Sequence, residues 1–334
     1  MDKLCEYLDY EQLTEEFVNR GIIVTNRDFA KEVLNAVPFK HLNGTRKSIS
    51  KVVDQQMSLE FLYSMHLARQ NLHHILLKNI LHVEQHLKIL LSHMVAQRYG
   101  VHTDRLIPLN KSPNDYLSTI HYSNKAGSRH NTIRKIKEAI NAAPKRSSLC
   151  KYRETKSNIP PWILLENLPL GLVIPWYEIL LHEDKDSISR EIFLSAPSKI
   201  SDMERLELTL KALKILKEYR NVFAHSNRFE DGFARNELPR TPMKIEYCGI
   251  FYEDDLYDGN VGKNDFMALV SILCMLLPNR FHINALYADL EYLVTPYLGL
   301  DRELFGGNIF DLLGIPQDVL ARIEKYLHDY LLIS

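Results

Sequence analysis

The chain has 334 residues, 46% of them hydrophobic, enough apolar side chain for one large domain or two modest ones. Its 41 Lys and Arg against 42 Asp and Glu leave a formal charge of −1, which disfavours a protein that coats nucleic acid by overall charge alone. Thirteen glycines and fourteen prolines among long periodic apolar runs favour helix over a turn-rich β architecture. Cys5, Cys150, Cys248 and Cys274 are scattered without a CxxC pair or metal-ligand spacing, so reduced and mostly buried thiols are expected. No secretory signal follows Met1-Asp2-Lys3. The longest apolar run, Phe266 to Leu277, has 12 residues, where a bilayer span needs about 20. A cytoplasmic protein without a membrane partner is expected.

Residues 7–46 read as two short helices and a connection. Glu11 to Asn19 is stopped by Gly21, and Asn26 or Asp28 caps a second helix that Pro38 closes. Residues 58–99 carry the clearest period: Leu62, Met65, Leu72, Leu76, Val83, Leu87, Leu90 and Met94, with Arg69 and Asn79 in the same register, follow steps of three and four, ended by Gly100. One long helix, or two broken briefly, fits. Residues 101–160 read as loop, since Pro108, Pro113 and several Ser and Asn interrupt a weakened apolar period. Helices resume at Trp162 to Leu168, after Pro175, and over about 201–226, where Ser201 and Glu204 form a capping-box pattern. Others follow near 264–277 and 283–295, with a last turn or two between Ile309 and Leu332. The fold class is all-α, a helical bundle of long helices. A small helical amino-terminal region covers 1–57 and the main domain 58–334, with 101–158 as a basic, loop-rich insert.

Charge is unevenly spread. Residues 121–156 hold ten Lys or Arg against two acids, and residues 246–334 hold 14 acids against five basic residues. The basic stretch, through Arg129, Arg134, Lys135, Lys145 and Arg146, suits the track of an RNA backbone, with Tyr122 and Tyr152 to stack on bases. A solvated loop balancing the acidic carboxyl-terminal region suits it equally. Lys40, His41, Arg46, Lys47 and Lys51 form a second basic cluster. His73, His74, His82, His86 and His93 lie in the long helix. His82-x-Glu84-x-His86 is not the order of zinc proteases, so a structural or solvent-facing role is expected there, with Glu84 and Arg69 orienting partners. No metal site and no cofactor are expected.

The richest local signal is Tyr219-Arg220-Asn221-Val222-Phe223-Ala224-His225-Ser226-Asn227-Arg228. Leu206, Leu210, Leu213, Leu216, Arg220 and Phe223 make one helical stripe, so Arg220 extends an apolar seam. Glu207, Lys211, Lys214, Glu218, Asn221, His225 and Arg228 make a polar one. Arg220 and His225 point about 140° apart on a straight helix. They can serve one atom if two copies meet across a two-fold axis, or if the helix breaks near Ala224. RNA transesterification needs a base for the ribose 2′-OH, which histidine supplies, and a fixed cation for the phosphate, which arginine supplies as a fork. The same spacing also fits an arginine salt-bridged at a helix interface and a histidine at a helix end.

Arg220-Asn221-x-x-Ala224-His225-x-x-Arg228 resembles the R-N-x-x-A-H-H-x-R signature of the Abi (abortive-infection) family of AbiD- and AbiF-like proteins, whose cores belong to the HEPN superfamily of ribonucleases. Four further segments agree in order: Phe17-Val18-x-Arg20-Gly21-Ile22, Phe39-x-x-Leu42-x-Gly44, Trp162-x3-Glu166-x-Leu168-x2-Gly171-x5-Tyr177 and Leu313-Gly314-Ile315-Pro316. Ser226 departs from the signature, which has a second histidine there, and Phe39 and Thr45 depart from an aromatic pair. The resemblance implies a HEPN-like bundle, a homodimer formed through the motif helix, and metal-independent endoribonuclease activity in an antiphage toxin. It implies roles for Arg220, Asn221 and His225 in catalysis and a structured noncoding RNA as regulator. Arg228 of the motif, and Lys47 through the second basic cluster, are expected to extend the RNA footprint. A non-cleaving RNA-binding HEPN protein and a HEPN partner of a nucleotidyltransferase are the alternatives.

Overall fold

The computed structural model describes residues 7–53, 56–104, 109–124, 127–156, 158–195, 197–224, 234–298 and 308–331. Among them the fold is all-α, as the periodicity predicts: there are sixteen α-helices and no strand. Near the amino terminus, α1 (Tyr10–Asn19) opens on a reciprocal cap between Asp9 and Gln12, and Gly21 follows its end at φ +80°. Asn26 caps α2 (Arg27–Ala36) by accepting from the amides of Asp28 and Phe29. Pro38 closes that helix but also opens α3 (Phe39–Ile49), which the sequence reading missed. A proline ahead of a helix sacrifices nothing, because the first-turn amides have no helical partner anyway.

The long helix α4 runs unbroken from Leu59 to Tyr99, and Gly100 leaves it at φ +82°. Its buried face follows the predicted stripe through Leu62, Met65, Leu72, Leu76, Val83 and Leu87, then passes to Leu91 and Val95. Leu90 and Met94, predicted to be core, are half-exposed. A strict alternation of threes and fours drifts by about 20° per heptad against a straight helix, so over four heptads the face slips by one residue.

The basic stretch is not the loop its composition suggests. It forms α5 (Arg129–Asn141), which buries Ile133, Ile136 and Ile140, and α6 (Ser148–Thr155), which Ser147 caps and which buries Leu149 and Cys150. The helical period is present in those isoleucines, but dense charge masks it. After α7 (Pro161–Asn167) comes α8 (Leu170–Ile179), which contains Pro175 instead of starting after it. Burial of Val173, Ile174, Trp176, Tyr177 and Ile179 outweighs a helix-interior proline that costs about 3 kcal/mol.

Beyond α9 (His182–Glu191), α10 (Asp202–Ala224) starts on the predicted capping box: the Ser201 amide donates to Glu204 Oε2 at 2.8 Å, and the Glu204 amide to Ser201 Oγ at 3.3 Å. The remaining helices are α11 (Arg240–Tyr247), α12 (Asp254–Asp258), α13 (Phe266–Leu276), α14 (Arg280–Val294), α15 (Ile309–Leu313) and α16 (Val319–Leu331). Every residue of α13 is buried, and Asp265 caps it. No helix among the described residues is long and apolar enough to cross a membrane.

The chain divides into two compact units, both discontinuous in sequence: 1–77 with 222–233 and 285–321, and 78–221 with 234–284 and 322–334. In the first, Phe17 meets Phe39 with ring centroids 4.5 Å apart, and the Arg20 guanidinium lies over the Phe39 ring. Arg69 there donates to Ser48 Oγ (2.9 Å) and to the Leu312 carbonyl (2.7 Å) at the end of α15, where Gly314 turns left-handed. Three of the four accessory segments quoted above therefore serve this unit as structure. In the second, Tyr116 stacks on Trp176 and donates to the Ile159 carbonyl, while the Tyr122 hydroxyl donates to the Tyr116 carbonyl at 2.5 Å.

Candidate functional site

The motif segment begins on the last turns of α10, whose buried face is Leu208, Ala212, Leu213, Ile215, Leu216 and Tyr219. Its first turn is held by Arg205, buried and paired with Asp186 (2.5 Å) and Asp202 (2.6 Å). Its far end is tied to the chain that returns after the motif. The Tyr219 hydroxyl donates to the Asn264 carbonyl at 2.8 Å, and burial raises its pKa. Glu218 accepts from the Arg235 amide (2.5 Å) and from Asn236 Nδ2 (2.7 Å). Asn264 exchanges two 2.8 Å bonds with Ala234, accepting from its amide and donating to its carbonyl. Glu218, assigned to a generic polar stripe by the sequence reading, thus anchors the segment's exit.

Arg220 faces α4. Its Nε lies 3.8 Å from Glu84 Oε2, and Lys88 Nζ lies 2.7 Å from Glu84 Oε1. Glu84 and Lys88 are nearly buried, with side chains 8% and 11% exposed, while Arg220 is 31% exposed. Among the described residues neither Glu84 Oε2 nor Arg220 Nε has a hydrogen-bond partner. The expectation that Glu84 orients a partner instead of joining a histidine pair fits this geometry. Asn221, one position on, is exposed. His225 and Arg228 lie outside the described residues, so among the three residues named for catalysis the structure describes Arg220 and Asn221. Helix α10 continues through Ala224.

In the first unit, Phe223 of the motif packs against His73, with ring centroids 4.9 Å apart. Burial, then the charges of Arg69, His74 and His66, pushes the His73 pKa down to about 4. His66, whose Nδ1 lies 3.3 Å from Thr45 Oγ1, is lowered by burial and by His41 and Arg69. In the second unit, His82 packs edge-on to His282 (4.6 Å), and His86 Nδ1 lies 3.4 Å from the Leu276 carbonyl. Burial lowers both. Among the described residues no group of three or more His, Cys, Asp or Glu is arranged to hold a metal ion.

The residues named for RNA contact divide. Lys135, Lys145 and Arg146 are exposed, as is Lys47 on α3. Arg134 is exposed and lies 3.8 Å from Glu138. Arg129 instead donates to the Tyr122 carbonyl at 3.1 Å, and Tyr122 itself is core, out of reach of a stacking base. Lys137 is buried against Asp115 (3.3 Å) and donates to the Asp104 carbonyl at 2.7 Å. Burial pushes the Asp115 pKa up, but bonds from Asn110, Thr103 and the Leu117 amide, with the Lys137 charge, bring it below the usual range. Arg153 caps α5 through the carbonyls of Ile140 and Asn141.

The sequence model of the Abi-like protein family matches residues 32–230, a span that runs from α2 through the Arg220 segment. The chain belongs to that family. No curated protein matches it, and no solved structure does either. Membership points to abortive infection, a form of defence against phage.

Proposed function

We propose that the protein is a cytoplasmic antiphage toxin that cleaves RNA without a metal ion and acts as a HEPN-like homodimer restrained by a structured noncoding RNA. One observation carries the reading. In a chain of the Abi-like family, Arg220, Asn221 and Ala224 of the Arg220-Asn221-x-x-Ala224-His225 order lie in the last turns of α10, and there Arg220 is kept partly exposed beside the buried carboxylate of Glu84. The guanidinium grips the scissile phosphate as a fork, and Asn221 donates to the phosphate or fixes the histidine. His225 takes the proton of the 2′-hydroxyl, whose oxygen attacks phosphorus. The P–O5′ bond breaks and the 5′-oxygen leaves with a proton returned by the His225 imidazolium or taken from water, giving a 2′,3′-cyclic phosphate and a 5′-hydroxyl. On a straight helix Arg220 and His225 would diverge by about 140°. In this reading two motif helices therefore meet across a two-fold axis, and each site draws its arginine from one protomer and its histidine from the other; a helix break near Ala224 within one chain is the alternative.

Mixing experiments test this directly. Arg220→Ala and His225→Ala chains, each inactive alone, should recover partial RNA cleavage when combined, because a heterodimer holds one intact site. Cleavage should persist in excess EDTA. If both single variants fold and stay active, the nuclease site lies elsewhere, and loss of activity with chelator that Mg²⁺ or Zn²⁺ restores would overturn the metal-free route.

A further inference from the structure

Lys88 stands one turn after Glu84 on α4 and pairs with its carboxylate, whose other oxygen faces Arg220. A guanidinium at the edge of a helical core needs a counter-charge, because an unpaired buried cation is costly. A lone carboxylate would meet that need too well. It would close on Arg220 as a two-bond fork, cancel its charge and occupy the donors a phosphate requires. In this cluster the fork is not closed. Lys88 engages Oε1 at 2.7 Å, and Oε2 stops 3.8 Å from Nε, beyond hydrogen-bond reach, and among the described residues neither of those two atoms has a hydrogen-bond partner. The three side chains together keep one positive charge.

We propose, resting on the ribonuclease reading above, that Glu84 is a positioning residue for Arg220 and that Lys88 keeps the pair open, so that the guanidinium is aimed by Glu84 yet still free to bind a phosphate. Glu84 steadies the Nε edge, and the edge formed by the two Nη nitrogens is left for the phosphate oxygens. Lys88, by engaging one carboxylate oxygen, sets how strongly Arg220 is held. A guanidinium bound too tightly loses the phosphate, and one bound too loosely loses its aim.

The two substitutions therefore act on different kinetic constants. Lys88→Met releases Oε1, lets Glu84 close on Arg220, and should raise KM for a short RNA about tenfold with little change in kcat. Glu84→Gln removes the anchoring charge and should lower kcat roughly 10- to 100-fold with little change in KM. In the double variant, Lys88→Met should no longer affect KM, because the carboxylate it released is gone. If Glu84→Gln does not fold, Glu84→Asp replaces it: charge is kept, reach is shortened, and kcat again falls. A merely structural pair would lower stability and activity together, with additive effects and no split between kcat and KM, and that result would overturn the proposal.

A second readout separates this idea from the ribonuclease reading. With ¹⁵N-labelled arginine, the Nε–Hε signal of Arg220, assigned by its loss in Arg220→Lys, should shift in Lys88→Met. It should also shift when a 2′-O-methyl oligonucleotide, which cannot be cleaved, is added to the native protein. A signal indifferent to both overturns the positioning role even in an active nuclease. A signal that responds to both, in a protein that cleaves no RNA, supports the positioning of a phosphate-binding arginine and sinks only the cleavage reading.

Discussion

At the end of α10 a single guanidinium sits against a buried carboxylate, whereas along α5 and α6 the cations are many and their work is divided. In the first region the guanidinium shares the Glu84 carboxylate with Lys88 and is only partly open to solvent. In the second, Lys137, Arg129 and Arg153 turn inward to a carboxylate and to backbone carbonyls. Arg134, Lys135, Lys145, Arg146, Lys151 and Lys156 are exposed. The contrast teaches that a basic stretch mixes two populations, one building the fold and one facing solvent. Only the second can answer to a polyanion.

The largest effect belongs to the first region. Arg220→Ala and His225→Ala should each reduce RNA cleavage 10²- to 10⁴-fold, about 3–5 kcal/mol in the barrier, and abolish growth arrest in cells. Circular dichroism and thermal unfolding should show both variants folded. Cleavage within tenfold of the native rate would dissolve the comparison, since this arginine would then be no more functional than the inward cations.

In the second region the comparable loss falls on stability. Lys137→Met strands the Asp115 carboxylate among buried groups and should cost about 3–5 kcal/mol in denaturant unfolding. Lys145→Met, on the exposed side, should stay within about 0.5 kcal/mol. Equal effects at the two positions would mean that the division between building and solvent-facing cations has no energetic content.

How far this was legible in the sequence depends on the kind of information involved. The helices of α4, α10 and α13 could be read because apolar period and capping residues such as Ser201 act locally. The α3 helix was hidden because Pro38 carries the same letter whether it ends a helix or opens one. The α5 period was hidden because its isoleucines stand among lysines. Lys137 and Lys135 are indistinguishable as letters; partners far back in the chain, Asp115 22 residues earlier and the Asp104 carbonyl, hold one of them inside. The same limit applied to the site. The Arg220 motif was visible as a short pattern, and Glu84 was suspected of orienting a partner, but its pairing with Arg220 joins positions far apart in the chain. The anchoring role of Glu218 rests on Arg235 and Asn236, which likewise lie beyond any helical period.

A third expectation concerns the neutral partners on α4. His73, with its pKa near 4, binds fewer protons when folded than when unfolded. Stability should therefore be full above the unfolded value of about 6.5 and fall as pH drops toward 4, by up to about 3 kcal/mol from this group. His66, His82 and His86, also lowered, add losses of the same sign. Urea unfolding at several pH values should show this fall, and His73→Gln should flatten it. A stability that rises on acidification would contradict the lowered pKa values of these partly or wholly buried rings.

The smallest effect tests whether the solvent-facing cations of α5 and α6 touch RNA at all. Each phosphate contact releases counterions, so the logarithm of affinity falls with the logarithm of salt at a slope of roughly −0.9 per contact on a duplex and −0.7 on a single strand. Lys135→Glu, Lys145→Glu and Arg146→Glu are the informative reversals, because these side chains are exposed. Arg129→Glu is not, since it also breaks a bond to the Tyr122 carbonyl and confounds affinity with folding. If the three cations lie on the RNA path, the triple variant should flatten the salt slope by about two to three and weaken binding modestly at low salt. Cleavage of a substrate short enough to reach only the end of α10 should be unchanged. An unaltered slope would assign the RNA path to other cations, with Lys47 on α3 next in line, and would leave α5 and α6 with their structural work alone.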